Sequence, residues 1–322
     1  MATGPLLSAC LIVKDEEAHL PRCLASLEDL ADEIVLVDTG SIDATVEIAE
    51  AAGARISHEP WREDFAFHRN QAMDRARGRW LLIIDADEEL VDTDAAETRH
   101  HLEHAPLPPV LLVRNTLVYP DGHRFDLVSP RVVCAESGIR FRYPIHEQLA
   151  VEDCRAALSN IRLLHHGYLS AEGLAAKEGR NRRIAEAMEE TPHGLHCRAR
   201  SAMSQGDWPV VLDTSRRLLD CNCAPSQRMD ACVLGGAAAF SLRDDAALAT
   251  FLEAGRELDS ACPDLFFLEL LDAARRYGRS LGEGAEPGGA FLRPRVFHHN
   301  AKEVERLIRA FTGTDSDNGQ HH

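Results

Sequence analysis

The sequence predicts an α/β domain built on a doubly wound parallel sheet, followed by an all-helical domain. Three observations predict it. Short apolar runs alternate with segments of helical period over the first third of the chain. Helical periodicity replaces this alternation from about Ser170 onward. The length, 322 residues, allows two domains at roughly 150 residues each.

The elements follow in order. Leu6–Val13 (LLSACLIV) is an apolar run of strand type. Glu16–Leu30 places Leu20, Cys23, Leu24, Leu27 and Leu30 at spacings of three and four, which is one face of a helix. Glu33–Val37 is a second strand, and Asp43–Ala52 a second helix closed by Gly53. Arg55–Ser57 is a third strand, Phe65–Ala76 a helix, and Trp80–Ile84 a fourth strand. Strands separated by helices pair in parallel through crossovers, and ligands of such sheets gather outside the carboxyl ends of the strands. Val110–Tyr119, Arg131–Cys134 and Ile161–Leu164 read as later strands, with Tyr119–Gly122 (YPDG) as a turn. Helices are then expected at Ala175–Glu190, Leu195–Ser204, Trp208–Leu219, Arg228–Leu242, Asp245–Leu258 and Leu265–Tyr277. Gly282–Gly289 reads as a loop and Ala301–Phe311 as a last helix. Within the helical part, Gly206-Asp207 overlays on Arg243-Asp244, an offset of 37 residues. That is close to the ~34-residue helix-turn-helix period of tetratricopeptide arrays.

Composition narrows the function. A net charge of −17 disfavours nucleic-acid backbone binding, which needs clustered Lys and Arg. No apolar run reaches the roughly 18 residues of a membrane-spanning helix. Met1–Ala9 lacks a basic segment followed by a long apolar one and reads as a strand, not a signal peptide. Nine scattered cysteines fit reduced thiols in a cytoplasmic protein. His193, His196 and Cys197, with Cys221 and Cys223, invite a zinc reading, but their spacing fits no paired ligand scheme.

The chemistry concentrates at two strand ends. Leu81–Leu90 (LLIIDADEEL) runs from apolar to acidic and ends in Asp85, Asp87, Glu88 and Glu89. Carboxylates two apart can reach one ion, and oxygen ligands suit Mg²⁺ or Mn²⁺. A solvated acidic turn, or Asp87 and Glu88 capping a following helix, is the alternative. Val35–Thr45 (VLVDTGSIDAT) closes its strand with Asp38, turns at Gly40, and offers Ser41 or Asp43 as a helix cap.

These blocks, with CLIVKDEEAHLPRCLASL and WREDFAFHRNQAMDRARGRW, resemble the inverting glycosyltransferases of the A-type fold, family 2. The resemblance covers about Leu6 to Tyr168 and is nearest to a bacterial branch with tetratricopeptide-like C-terminal helices. That branch includes the peptide S-glycosyltransferases of glycocins. Asp15 stands where Asn is usual in the family. The resemblance implies residues 1–168 as the transferase domain, 169–190 as a connecting helix and 191–322 as the helical domain. It implies Val13, Lys14 and Asp38 around the base of a nucleotide-sugar, expected to be UDP-linked, and Arg69 and Asn70 as the family's RN pair. Asp85 and Ala86 would lie at the ribose, and Asp87 and His165 would hold Mn²⁺ or Mg²⁺. His166 takes the place of His165 if the register shifts by one. The imidazole leans the ligand set toward Mn²⁺. Glu147, in YPIHEQL, would be the general base, with Asp121 and Asp126 as alternatives. Lys177, Arg180, Asn181 and Arg183 either close over the diphosphate or form a solvated basic face.

The expected function is therefore a metal-dependent transfer of glucose or N-acetylglucosamine, with inversion, to a hydroxyl or thiol. The expected acceptor is a peptide, protein or small molecule, with no nucleic acid partner; monomer and homodimer stay open. Two other classes compete. A nucleotidyltransferase normally shows a Gly-rich basic loop after its first strand, where this chain has KDEEAHL. A non-catalytic docking protein with a helical interaction domain would have no need of Asp38, Asp85, Asp87, Glu147 and His165 together.

Overall fold

The computed structural model describes residues 4–118, 124–151, 154–166 and 171–281, excepting the side chains of 171–178, 274 and 276–281. Asp121, the turn at 119–122, Tyr168, the loop at 282–289 and the helix at 301–311 lie outside the described residues. The chain forms two compact units, Met1–Lys177 and Glu178–His322.

The first unit holds an eight-stranded mixed sheet of order β3-β2-β1-β4-β7-β6-β10-β5. β1 (Leu7–Val13), β2 (Glu33–Asp38), β3 (Arg55–His58) and β4 (Trp80–Ile83) are mutually parallel, as the crossover helices require. The helices are α1 (Leu20–Leu27), α2 (Thr45–Ala51) and α3 (Phe65–Arg75). β5 (Glu88–Leu90) and α4 (Ala95–His104) follow, then β6 (Val110–Val118) and β7 (Arg124–Cys134). β7 runs antiparallel to β4 and to β6. A small hairpin, β8 (Phe141–Arg142) with β9 (Gln148–Leu149), precedes β10 (Ala156–His165). β10 pairs parallel to β6 and antiparallel to β5.

β1 is apolar except for Ser8, because both its faces are covered. Leu7, Ala9, Leu11 and Val13 face a layer with Leu20, Leu24 and Leu27 of α1 and Leu102 of α4. Cys10 faces the other layer, with Ala72 and Met73 of α3 and Leu149 of β9. α1 is shorter than the expected Glu16–Leu30. Pro21 can occupy only a first turn, which starts the helix at Leu20, and Leu30 folds back in a turn onto Leu27. α4 and β5 were not anticipated: α4 buries only Thr98 and Leu102, and β5 is mostly acidic. β7 and β10 extend well beyond their expected apolar cores.

At the amino ends of β1 and β2, buried Glu33 ties four segments together. It accepts from Ser8 Oγ (2.5 Å), Arg55 Nη1 (2.5 Å), and both Arg77 N (2.9 Å) and Arg77 Nε (2.8 Å). Burial pushes this carboxyl up, but the donors outweigh it and bring it from 4.5 to about 2.

In the second unit, α5 (Ala171–Ala187), which begins just before it, is followed by α6 (Pro192–Gln205), α7 (Trp208–Asp220), α8 (Pro225–Leu242), α9 (Asp245–Leu258) and α10 (Pro263–Leu281). The offset overlay has a structural counterpart. Gly206 (φ 74°) and Arg243 (φ 60°) both end a helix in the left-handed region. Asp207 and Asp244 both cap the next helix, accepting from Val210 N and Ala247 N. Two successive helix-turn-helix pairs therefore use the same turn, as in a tetratricopeptide-like array. α8 is the hub, packed against α6, α7, α9 and α10. It is buried without a break from Ala231 to Phe240, which small residues permit. Among the described residues, no helix is long and apolar enough to cross a membrane.

Glu33→Gln lowers the stability of the first unit by on the order of 2–3 kcal/mol at pH 7. Because the folded carboxyl lies below its ordinary value, that stability is complete above pH 4.5 and is lost as pH falls toward about 2. The gap between parent and variant therefore narrows in acid, read by hydrogen exchange of β1 and β2 amides. Gly235→Ala puts a Cβ 2.3 Å from the ring of Phe251, which is fully buried and cannot retreat. Overpacking costs about 1–3 kcal/mol and exceeds the helix-propensity gain of up to about 1 kcal/mol. Thermal denaturation followed at Trp208 should show a lower midpoint.

Candidate functional site

The carboxyl ends of β1, β2 and β4 lie side by side, which brings Val13, Asp38 and the Asp85–Asp87 segment to one edge of the sheet. The loops after β1 and β2 are laced to each other. Asp15 N donates to Ser41 Oγ (3.0 Å), and Ile42 N to Asp15 Oδ1 (2.8 Å). Glu16 N donates to Thr45 Oγ1 (2.7 Å), and Glu17 N to Asp43 Oδ2 (3.1 Å). Asp15 adopts φ 54°, a conformation in which Asn and Asp are the best tolerated side chains after Gly. Asp43 does not cap α2, whose first cap is Ala44; it turns back on Thr45 N instead (3.0 Å).

Asp38 is buried. Its carboxylate accepts from Gly40 N (3.3 Å), Ser41 N (3.0 Å) and His58 Nδ1 (3.0 Å). Burial raises this carboxyl, but Ser41 and His58 hold it below the ordinary range. Val13 is buried, and its carbonyl receives Thr39 N and Thr39 Oγ1; Lys14 is exposed.

The acidic stretch after β4 is neutralised chiefly from within the protein. Arg69 Nη1 lies 2.8 Å from Asp85 Oδ1, and Arg69 Nε donates to Glu147 Oε1 at 2.7 Å. Arg131, from β7, lies 2.8 Å from Glu88 Oε1 and 3.6 Å from Asp85 Oδ2. Glu88 also accepts from Asn115 Nδ2 (2.7 Å) and Asp85 N (2.9 Å). Glu89 is met by His166 Nε2 (2.9 Å) and Arg22 Nε (3.3 Å). Burial pushes Asp85 up, but the Arg69 and Arg131 guanidiniums outweigh it and hold it well below the carboxylate range. Arg69 is thus a bridge between two carboxylates. Asn70 pairs both ends of its amide with the backbone of Phe141 (2.8 and 3.0 Å) and so docks the hairpin that carries Glu147. Tyr143 (φ 75°) and His146 (φ 49°) bend that hairpin in the left-handed region. Asp126 bonds Thr116 Oγ1 (2.6 Å) on the β6–β7 hairpin.

Asp87 is buried, and its Oδ1 faces His165 Nε2 at 3.6 Å. The antiparallel pairing of β5 with β10 sets this meeting: His165 lies opposite Glu88, and His166 N donates to Asp87 O (2.8 Å). One carboxylate and one imidazole suit a divalent cation that takes its other ligands from phosphate oxygens and water. Among the described residues, no group of three His, Cys, Asp or Glu side chains is arranged to hold a metal. In the helical unit His193 Nε2 contacts Cys197 Sγ (3.3 Å), while His196 faces Asp230 (3.0 Å) instead.

Sequence reasoning missed Arg131, Asn115 and the central place of Glu88. The available signal was Asn115 within the apolar run Val110–Tyr119 and Arg131 at the head of the apolar Val132-Val133.

The family model "Glycosyl transferase family 2" matches residues 8–106. A TPR repeat-containing protein of Synechococcus elongatus is 40% identical over 152 residues, covering 47% of this chain and 37% of that protein. The SPbeta prophage-derived glycosyltransferase SunS of Bacillus subtilis is 26% identical over 193 residues, covering 57% of this chain and 45% of that protein. The chain thus spans less than half the length of either relative. A crystal structure of S. aureus TarS 1–349 in complex with UDP-GlcNAc aligns with 15% identity and a TM-score of 0.46, covering 80% of this chain and 91% of that one. The family resemblance carried by the sequence blocks is borne out by the match at residues 8–106.

Arg69→Met strands Asp85 and Glu147 together without their shared cation. Breaking such a half-buried pair from one side costs about 3 kcal/mol. Arg69→Lys, which can reach one carboxylate but not both, is expected to recover part of the loss in a urea titration.

Proposed function

We propose, with residues 8–106 as a family 2 glycosyltransferase domain for premise, that this chain transfers a sugar from a UDP-linked donor with inversion. The donor is UDP-glucose or UDP-N-acetylglucosamine, and the acceptor a hydroxyl or thiol on a peptide or protein. The observation that carries the reading is the meeting of Asp87 with His165 beside an arginine-neutralised Asp85, at the carboxyl ends of the parallel strands of the sheet.

Val13, Lys14 and Asp38 line the nucleoside end, with Asp85 and Ala86 at the ribose. Asp87 and His165 would hold a divalent cation, Mn²⁺ or Mg²⁺. His165 is preferred over His166 because its Nε2 faces Asp87, whereas His166 Nε2 faces Glu89. When bound, the cation offsets charge on the departing diphosphate. Glu147 takes the acceptor's proton as the acceptor oxygen or sulfur bonds to the anomeric carbon and the bond from that carbon to the diphosphate breaks. Arg69 fixes Glu147 through Oε1, and Asn70 fixes the hairpin behind it.

The test is UDP release from each donor with Mn²⁺ and no acceptor. Slow metal-dependent hydrolysis is expected, abolished by chelation and in Asp87→Ala. Glu147→Gln should retain UDP binding while release falls about 100-fold or more. An absence of both release and metal-dependent UDP binding would leave the docking-protein reading in its place.

A further inference from the structure

Behind the residues assigned to the cation and the ribose lies a network with no assigned ligand contact of its own, joined to them through Asp85. Glu88 is its centre, with a side chain that has no exposed surface. Three donors converge on its carboxylate from three parts of the sheet. Asn115 Nδ2 comes from β6 at 2.7 Å, Arg131 Nη2 from β7 at 2.8 Å, and the Asp85 amide from the end of β4 at 2.9 Å. The Asp85–Glu88 turn is closed in both directions, because Glu88 N also donates to Asp85 O (3.0 Å). A main-chain bond and a side-chain bond thus fix one four-residue segment, Asp85-Ala86-Asp87-Glu88.

Two consequences meet in that segment. Through Arg131, Glu88 aims a guanidinium at the Asp85 oxygen that Arg69 does not contact, Oδ2 against Oδ1. Through its place in β5, Glu88 lies opposite His165 in the β5–β10 ladder. That register sets the 3.6 Å approach of His165 to Asp87. We infer that Glu88 and Arg131 are positioning residues that orient Asp85, Asp87 and His165 for a nucleoside diphosphate and its cation. The inference rests on the transferase reading above. Partners one step behind metal ligands typically change metal affinity about 10–100-fold when removed.

The decisive variant is Glu88→Gln/Arg131→Met, which removes the buried charge pair as a unit. Replacing both partners removes one charge of each sign and leaves Asp85 with Arg69, so stability stays near that of the parent. Two quantities are measured on the full chain: the thermal midpoint, and the dissociation constant for UDP with and without Mn²⁺. The expected result is a midpoint close to the parent's with Mn²⁺-dependent UDP affinity weakened about 10–100-fold. A folded double variant that binds UDP and Mn²⁺ as tightly as the parent overturns the positioning role and leaves the network a purely structural one. If the double variant does not fold, Arg131→Lys serves in its place. It keeps the charge but cannot span Glu88 and Asp85, so the same weakening is expected and unchanged affinity is the contrary result. A parent that binds no UDP overturns the transferase reading itself, which the comparison of parent and variant keeps distinct.

Discussion

Everything at the carboxyl edge of this sheet depends on placing two guanidiniums among carboxylates. Asp85, Asp87, Glu88 and Glu89 are packed into five residues, and Glu147 is drawn to the same edge. Such a density of like charge is unstable unless cations are interleaved at contact distance. Arg69 and Arg131 do this from two directions, α3 and β7, and so connect elements far apart in sequence. The planar fork of arginine suits the role, since each guanidinium meets two carboxylates at once.

This arrangement explains how an apolar strand can finish in four acids. From sequence, Asp85 and Asp87 could share an ion, or the turn could be solvated. In the folded protein Asp85, Glu88 and Glu89 are already matched by Arg69, Arg131 and Arg22. Asp87 faces the His165 imidazole, a side chain that serves as a metal ligand. The division of labour within one short stretch is therefore set by which residue each carboxylate faces.

Local pattern carried much of the fold. β1, β2 and β4 are legible because strands covered on both faces read as apolar runs, and Asp38, Asp85 and Asp87 are legible because they terminate those runs. α7 and α9 are legible from paired turn chemistry. Non-local pairing accounts for the remainder. Nothing in Glu88-Glu89-Leu90 has strand character; it becomes a strand because β10 offers an edge. Arg131 could point to either face until its register against β4 is known. Asn115 is one of three consecutive polar residues in a nine-residue strand, and its partner is 27 residues away. Arg69 was found by its motif, but its engagement of Glu147 spans 78 residues and depends on a hairpin too short to leave a periodic signature.

The edge position of β5 has a thermodynamic consequence. A three-residue strand paired on one side only belongs to the part of a fold that opens most readily, well below the free energy of global unfolding. Asp87 precedes that strand and His165 ends its one neighbour among the described residues, so a cation held by both would span the seam. Its binding free energy would add directly to the free energy of closing the edge, by linkage. Occupancy of the site and integrity of the sheet margin are then two readings of a single equilibrium, and amide exchange along Glu88–Leu90 would report both.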